Sequence, residues 1–325
     1  MQKDNNEVLL SSSNRQQNIH PTTFLGTGLF RVGMNPDPKP ALYLSLDRLT
    51  VIADYDTRKF DYNYFEWLRE PFMREAGDGL QIVEESKFAD VPPEQVAYIE
   101  KPKFLEDKIR IDFNPNHGLD SEGGAWLIKF LSKLPNKHYS RCDIAFDIVN
   151  IPEVENYRVW QFGGKKRIYY GRGGAFETGY YGSSSSGKQI RFYNKKIEQK
   201  ERHKKVVNHV SWWRLELQLR GKTIDKYPDV VRKMLESFYI PAYELEENQQ
   251  TSNKLFRLQH DPDYYGKLSN SAKAKTRALL KKCNKHNRVA LALADLFVKQ
   301  FDRLEDEIYS TLNKFDIDAE EIIIL

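Results

Sequence analysis

Arg141–Ile148 reads RCDIAFDI, and its alternation decides the fold class. Successive side chains of a strand point to opposite faces. Ile144, Phe146 and Ile148 therefore share one face, and Asp143, Ala145 and Asp147 share the other. Three more stretches carry the same two-residue period. In Gln189–Tyr193, Ile190 and Phe192 oppose Gln189, Arg191 and Tyr193. In Arg214–Arg220, Leu215, Leu217 and Leu219 oppose Arg214, Glu216, Gln218 and Arg220. In Lys108–Phe113, Ile109, Ile111 and Phe113 oppose Lys108, Arg110 and Asp112. Strands with one apolar and one polar face predict a sheet covered by helices on a single side.

Outward from these strands the chain runs through two similar rounds. The first has a strand at Leu42–Ala53, a helix at Tyr62–Glu75 carrying Phe65, Trp67, Leu68 and Phe72, and strands at Leu80–Glu84 and Lys108–Phe113. A helix from Ser121 and Glu122 follows, with Trp126, Leu127, Phe130, Leu131 and Leu134 on its apolar face. The second round has the strand at Arg141–Ile148, a short helix near Glu153–Phe162, and strands at Arg167–Tyr170, Thr178–Tyr181, Gln189–Tyr193 and Trp212–Leu219. Strand, helix, strands occurs twice, which leaves an internal duplication open. The expected class is α+β: a largely antiparallel central sheet with helices on one face, plus a helical C-terminal region.

Residues 1–35 are rich in Ser, Asn and Gln and read as a flexible tail. Order is expected from about Ala41. Residues 36–223 hold the strands, and residues 224–325 are helical in character. Residues 254–288 carry ten Lys and Arg against two Asp. Within them Lys273, Arg277 and Lys281 recur every fourth residue, on one helix face, where they would follow a phosphate backbone; a solvated surface helix has the same pattern. Val289–Phe315 repeats apolar residues at Phe297, Phe301, Leu304, Ile308, Leu312 and Phe315, at helical or coiled-coil spacing.

Composition bounds the compartment. The chain has 325 residues, 40% of them hydrophobic, and a formal charge of +4. Cys142 and Cys283 cannot make a disulfide framework and form no metal-binding pair, so reduced thiols in a cytoplasmic protein are expected. Met1–Gln17 lacks the apolar stretch of a signal peptide. No apolar run approaches a membrane span, so no membrane partner is expected.

The polar strand faces carry the chemistry. If the four strands share a sheet, Asp143, Asp147, Glu216 and Asp112 gather beside Tyr193, Arg191 and Arg214. A solvated face with cross-strand ion pairs accounts for that pattern equally well. The functional reading is that clustered carboxylates raise one another's pKa and that a divalent cation with oxygen ligands relieves them. A phenol is a weak nucleophile because its pKa is roughly 10. A metal can polarise a scissile phosphate beside it, and Arg191, Lys195 and Lys196 would offset the phosphate charge.

Two further motifs point away from other chemistries. GSSSSGKQ (Gly182–Gln189) has the spacing of a phosphate-binding loop up to its lysine, but Gln189 replaces the magnesium-binding hydroxyl and a strand follows, not a helix. It reads as a hairpin loop. Trp212 and Trp213 could stack on an unpaired base, although neighbours on a strand face opposite ways and one should enter the core.

The blocks RIYYGRGGAFETGYYG (Arg167–Gly182), QIRFYNKKIEQK (Gln189–Lys200) and WWRLELQLR (Trp212–Arg220), with RIDFNPN (Arg110–Asn116) and RCDIAFDI upstream, resemble the rolling-circle replication initiators of staphylococcal-type plasmids. Relaxases of some Gram-positive integrative conjugative elements share that domain. The resemblance spans about Tyr43 to Lys282. It implies that Tyr193 attacks a phosphodiester at a plasmid origin, forms a 5′-phosphotyrosine and frees a 3′-OH primer, with Arg191 and Lys195 beside it. It implies Asp147, Glu216 and Asp143 as ligands of a divalent metal, Mg²⁺ or Mn²⁺. Many nicking initiators instead use two histidines flanking one apolar residue, and the seven histidines here form no such pair. The resemblance further implies a homodimer and a superfamily 1 helicase partner. It places origin recognition in GKLSNSAKAKTRALLKK (Gly266–Lys282), hence at Lys267, Lys273, Lys275, Arg277, Lys281 and Lys282. Residues 36–223 would then be the nicking domain and residues 224–325 the region for origin, dimer or helicase contacts. Rival readings are a conjugative relaxase with the same chemistry, or a non-catalytic DNA-binding protein whose acidic face is structural.

Overall fold

Two long strands, β1 (Ala41–Asp54) and β6 (His138–Val149), pair antiparallel at the centre of a large sheet. The computed structural model describes residues 39–85, 92–161, 164–202, 204–240, 248–261, 263–283 and 287–309. On one flank are β2 (Met73–Ala76), β3 (Gly79–Glu84), β4 (Glu94–Glu100) and β5 (Lys108–Phe113). On the other, beyond a two-residue strand β7 (Arg158–Val159), are β8 (Lys166–Tyr170), β9 (Phe176–Tyr181), β10 (Lys188–Asn194) and β11 (Trp212–Arg220). The order is β2-β3-β4-β5-β1-β6-β11-β10-β9-β8, and every ladder among the described residues is antiparallel.

The strand order is repeated. After β1 the chain goes to the outer edge and returns by a meander whose last strand, β5, lies on β1. After β6 it does the same, and β11 returns to β6. The two rounds of the sequence are thus two flanks around a central pair.

One face of this sheet is apolar and buried. Leu215, Leu217 and Leu219 are fully enclosed, as are Ile144, Phe146 and Ile148 on β6 and Ile109 and Ile111 on β5. Each such side chain contributes ~1.5–3 kcal/mol by leaving water. Helices α2 (Glu122–Ser132), α4 (Tyr227–Glu236) and α8 (Arg288–Lys299) join this core, as does Phe60 of the first helix. Ser121 caps α2 by accepting from Gly124 N. Aromatic rings of α1 (Thr57–Trp67) pack edge-on against it, Trp67 meeting Trp126 at 5.7 Å and Phe130 at 5.2 Å. Beyond α8, residues 301–309 are helical, and Leu304 and Ile308 continue its buried stripe. Helices α5 (Gln249–His260), α6 (Tyr264–Lys267) and α7 (Asn270–Cys283) gather instead around Tyr239, Leu255, Leu258 and Leu280. The expected α+β sheet, with helices on its apolar side and a helical C-terminal region, is what the chain forms.

Three local expectations are corrected. The first helix is Thr57–Trp67, not Tyr62–Glu75: Asp56 caps it by accepting from Arg58 N, and Pro71 follows its end, so Met73–Ala76 extends as β2. Residues 94–100 form a strand absent from the sequence reading. The short helix expected at Glu153–Phe162 is a 3-10 turn at Pro152–Asn156, after which β7 pairs with β12 (Phe238–Tyr239). The tail at 1–35, and Leu312 and Phe315, lie outside the described residues.

Candidate active site

The register of the ladders arranges polar-face side chains in rows across the strands. One row runs Arg167, Tyr180, Arg191, Glu216 from β8 to β11. The next runs Tyr169, Thr178, Tyr193, Arg214, Asp147, Tyr43 from β8 to β1. A third holds Gln189, Gln218, Asp143 and Arg48. A positive φ of 102° at Gly182 opens the turn from β9 to β10 that sets this register, and an added Cβ would stand 2.9 Å from the Lys188 carbonyl oxygen.

Tyr193 is 4% exposed and donates its hydroxyl to Glu216 Oε2 at 3.3 Å. The Arg191 guanidinium lies 4.7 Å from the centre of its ring and Lys195 Nζ lies 5.6 Å away. Burial pushes the phenol well above its ordinary pKa, and the nearby Glu216 charge adds to the shift. The resting group is a protonated phenol held against a carboxylate.

Glu216 accepts three kinds of donor. Arg191 Nη1 reaches Oε1 at 3.0 Å and Oε2 at 3.2 Å, and Gln218 Nε2 reaches Oε1 at 3.0 Å. Arg191 Nε is buried with no hydrogen-bond partner among the described residues, so one guanidinium donor beside the phenol is unspent. Lys195 Nζ binds Glu198 Oε2 at 2.5 Å, on the first turn of α3 (Lys195–Arg202). Burial would raise the Glu198 carboxyl, but Lys195 holds it below the usual range. Lys196 donates to the His209 carbonyl oxygen at 2.5 Å, which fixes the segment before β11.

The other carboxylates of the sequence reading are closed by arginines. Asp147 accepts Arg214 Nε at 2.8 Å and Nη2 at 2.7 Å, and Trp212 Nε1 at 2.7 Å. Asp143 accepts Arg141 Nε at 2.8 Å and Nη2 at 2.5 Å. Burial pushes Asp143 up to about 7 against the pull of Arg141, and the Glu216 charge adds to the rise. Asp112 accepts Thr50 Oγ1, with Arg48 and Arg110 each at 2.6 Å. The face is therefore laced by the ion pairs that the alternation pattern also allowed. Among the described residues no group of three or more His, Cys, Asp or Glu is arranged to hold a metal. In this arrangement Asp143, Asp147 and Glu216 do not form a cage, because guanidinium donors occupy their oxygens.

Asp47 was missed. It lies at a bulge in β1, between Leu46 and Arg48, and accepts Arg214 Nη1 at 2.5 Å. Burial would raise its pKa, yet Arg214, Lys195 and His117 together hold it low. Arg214 thus sits between Asp47 and Asp147. Burial alone would depress its guanidinium, and these two carboxylates push it well above its ordinary value. A signal for Asp47 exists in the sequence: the buried positions change parity from Leu44 and Leu46 to Leu49, Val51 and Ala53. His117 pairs with Glu94 at 3.2 Å, and burial lowers its pKa. Neither tryptophan is available to a base. Trp213 stacks on Phe192 at 5.0 Å in the core, while Trp212 is 4% exposed and tied to Asp147.

The basic residues expected to meet origin DNA lie on other elements. Lys267 ends α6; Lys275, Arg277, Lys281 and Lys282 are exposed on α7 and Lys273 is half-buried there. The opposite side of α7 buries Thr276 and Leu280. Arg277 binds the Tyr265 hydroxyl at 3.0 Å. Among the described residues no ion pair engages the five lysines. The GSSSSGKQ stretch is the turn leading into β10, as its sequence implied.

Residues 138–248 match the family described as Replication initiation factor. The chain resembles the replication initiation factors. Replication initiation proteins of Staphylococcus aureus are similar over most of their length. One is 29% identical over 253 residues, 75% of this chain and 76% of the relative. Another is 28% identical over 282 residues, 83% of this chain and 85% of the relative. A solved rolling circle replication initiator protein from Geobacillus stearothermophilus covers 68% of this chain and 97% of its own at 17% identity, with a TM-score of 0.34. That superposition is too loose to bear on the fold. The segment matching the family contains Tyr193, Arg191, Lys195, Glu216, Asp147 and Asp143; Asp47 and the α7 lysines fall outside it. No helix among the described residues is long and apolar enough to cross a membrane.

Proposed function

We propose that the chain initiates rolling-circle replication of a plasmid by nicking one strand at the origin with Tyr193. The observation that carries this reading is the phenol held against Glu216 with the unspent Arg191 Nε beside it. Glu216 takes the phenol proton as the Tyr193 oxygen bonds to phosphorus. The bond from phosphorus to the 3′ oxygen breaks, and that oxygen takes up a proton to leave a 3′-OH primer. The product is a 5′-phosphotyrosine. Arg191 and Lys195, which lie over the Tyr193 ring, offset charge on the phosphate.

Asp147 acts through Arg214, which stands directly opposite Tyr193 in the ladder. Origin duplex is held by Lys267, Lys273, Lys275, Arg277, Lys281 and Lys282, and a homodimer that recruits a superfamily 1 helicase completes the reading. A requirement for Mg²⁺ or Mn²⁺ belongs to the same reading. The test is a supercoiled plasmid carrying the chain's own replicon, incubated with Mg²⁺, Mn²⁺ or EDTA. Relaxed, protein-linked DNA is expected with either metal and its loss with EDTA. Fully supercoiled DNA under all three conditions would overturn the nicking reading.

A further inference from the structure

The polar face continues outward from Tyr193 to β8, the last strand of the sheet, which has one paired edge among the described residues. Arg167 and Tyr169 are exposed there, Tyr169 to 51%. Guanidinium and phenol groups alternate from this edge to the site. Arg167 lies 5.2 Å from the Tyr180 ring centre, and Arg191 lies 5.5 Å from the same ring. Arg191 also covers Tyr193. Tyr169 meets Tyr180 edge-on at 5.8 Å. At the inner end is the partnerless Arg191 Nε. The hairpin over residues 164–182 carries Lys165, Lys166, Arg167 and Arg172 against Glu177 alone.

Charged side chains alone suffice to blunt an edge strand against pairing; this edge adds a half-exposed phenol, Tyr169, to a cationic hairpin. We propose that Arg167, Tyr169 and Tyr180 form a track for single-stranded DNA leading to Tyr193. Unpaired bases offer their faces to the phenols, and their phosphates meet the guanidiniums; a duplex hides those faces within its own stack. Strand spacing puts about 10 Å of sheet between β8 and β10, so the track reaches from the edge to the reacting phenol within a few nucleotides. Its direction rests on the nicking reading; its ligand does not.

The test is fluorescence anisotropy of the full chain, without divalent cation, on a labelled mixed-sequence single strand and on the matching duplex. The double variant Arg167→Ala/Tyr169→Ala alters exposed side chains, and its thermal unfolding serves as a folding control. It should bind the single strand roughly ten- to hundredfold more weakly while holding the duplex as the parent does. Tyr170→Ala, on the opposite face of β8 against Phe176, should bind both as the parent does. Unchanged single-strand affinity in the double variant, equal loss on the duplex, or equal loss in Tyr170→Ala would each overturn the track. A second copy pairing along β8 would give the first of these results. Nicking enters none of these readouts, so an inert Tyr193 would leave the outcome untouched, and failure of the track would leave the nucleophile assignment standing.

Discussion

The two flanks of the sheet share a strand order and differ in what they place on the polar face. Each buries one carboxylate in the strand beside the central pair: Asp112 on β5, 2% exposed, and Glu216 on β11, 1% exposed. Each has an arginine two residues earlier, Arg110 and Arg214. In the first flank Arg110 turns to its own carboxylate, and Arg48 and Thr50 complete the shell. In the second, Arg214 turns away to Asp147 and Asp47. Glu216 is left with one guanidinium, an amide and the Tyr193 hydroxyl. Tyr98 stands opposite Asp112 where Arg191 stands opposite Glu216. One fold repeat thus holds a carboxylate closed by cations and a hydroxyl, and the other a buried carboxylate that also accepts from a phenol. On the proposed nicking reading, the direction in which the arginine two residues earlier turns decides which flank reacts.

Substitutions can break this contrast. The largest effect is expected from Tyr193→Phe, which should lower nicking on the order of 10⁴-fold or to background while leaving origin binding intact. Tyr98→Phe on the other flank should leave nicking unchanged, and plasmid relaxation read on a gel compares the two. Glu216→Gln should slow cleavage about 10²- to 10³-fold with little change in DNA affinity, as loss of a general base does. Asp112→Asn is the structural counterpart. It weakens the hold on Arg48 and Arg110, both partly exposed, while Arg110 keeps Glu100, and should cost about 1–3 kcal/mol in urea denaturation, with nicking per folded molecule unchanged. If Asp112→Asn impaired nicking as much as Glu216→Gln does, the two flanks would not differ as described.

A smaller effect sharpens the picture through pH. Asp143 is raised to about 7 from 3.8, so between those values the folded chain binds a proton that the unfolded chain has lost. Stability from this group is present at low pH and declines as pH rises through about 7. Asp143→Asn should flatten the fall in stability between pH 5 and pH 8, measured by thermal unfolding in matched buffers. An unchanged slope would mean that Arg141 keeps Asp143 ionised throughout.

Much of this was legible in the chain because period-2 patterning is a direct record of sheet faces. It placed Tyr193, Arg191, Glu216, Asp147 and Asp143 on one side, where they lie. It could not say which donor each carboxylate meets, since register and the turn of a long arginine side chain are set by tertiary packing. Arg214 shows the limit: its alternation is plain, but its two-sided pairing needs the bulge in β1 that brings Asp47 to it. The first helix runs Thr57–Trp67 and not Tyr62–Glu75 because Asp56 caps its start and Pro71 follows its end, whereas its aromatic residues mark only the face that packs.

The central claim is that Tyr193, alone among eighteen tyrosines, becomes joined to DNA. The direct measurement is mass spectrometry of the covalent adduct after nuclease trimming and proteolysis. The account predicts a nucleotide-bearing peptide whose modified residue is Tyr193. An adduct on Tyr170, Tyr180 or Tyr181, or nicked DNA with no adduct, would contradict it.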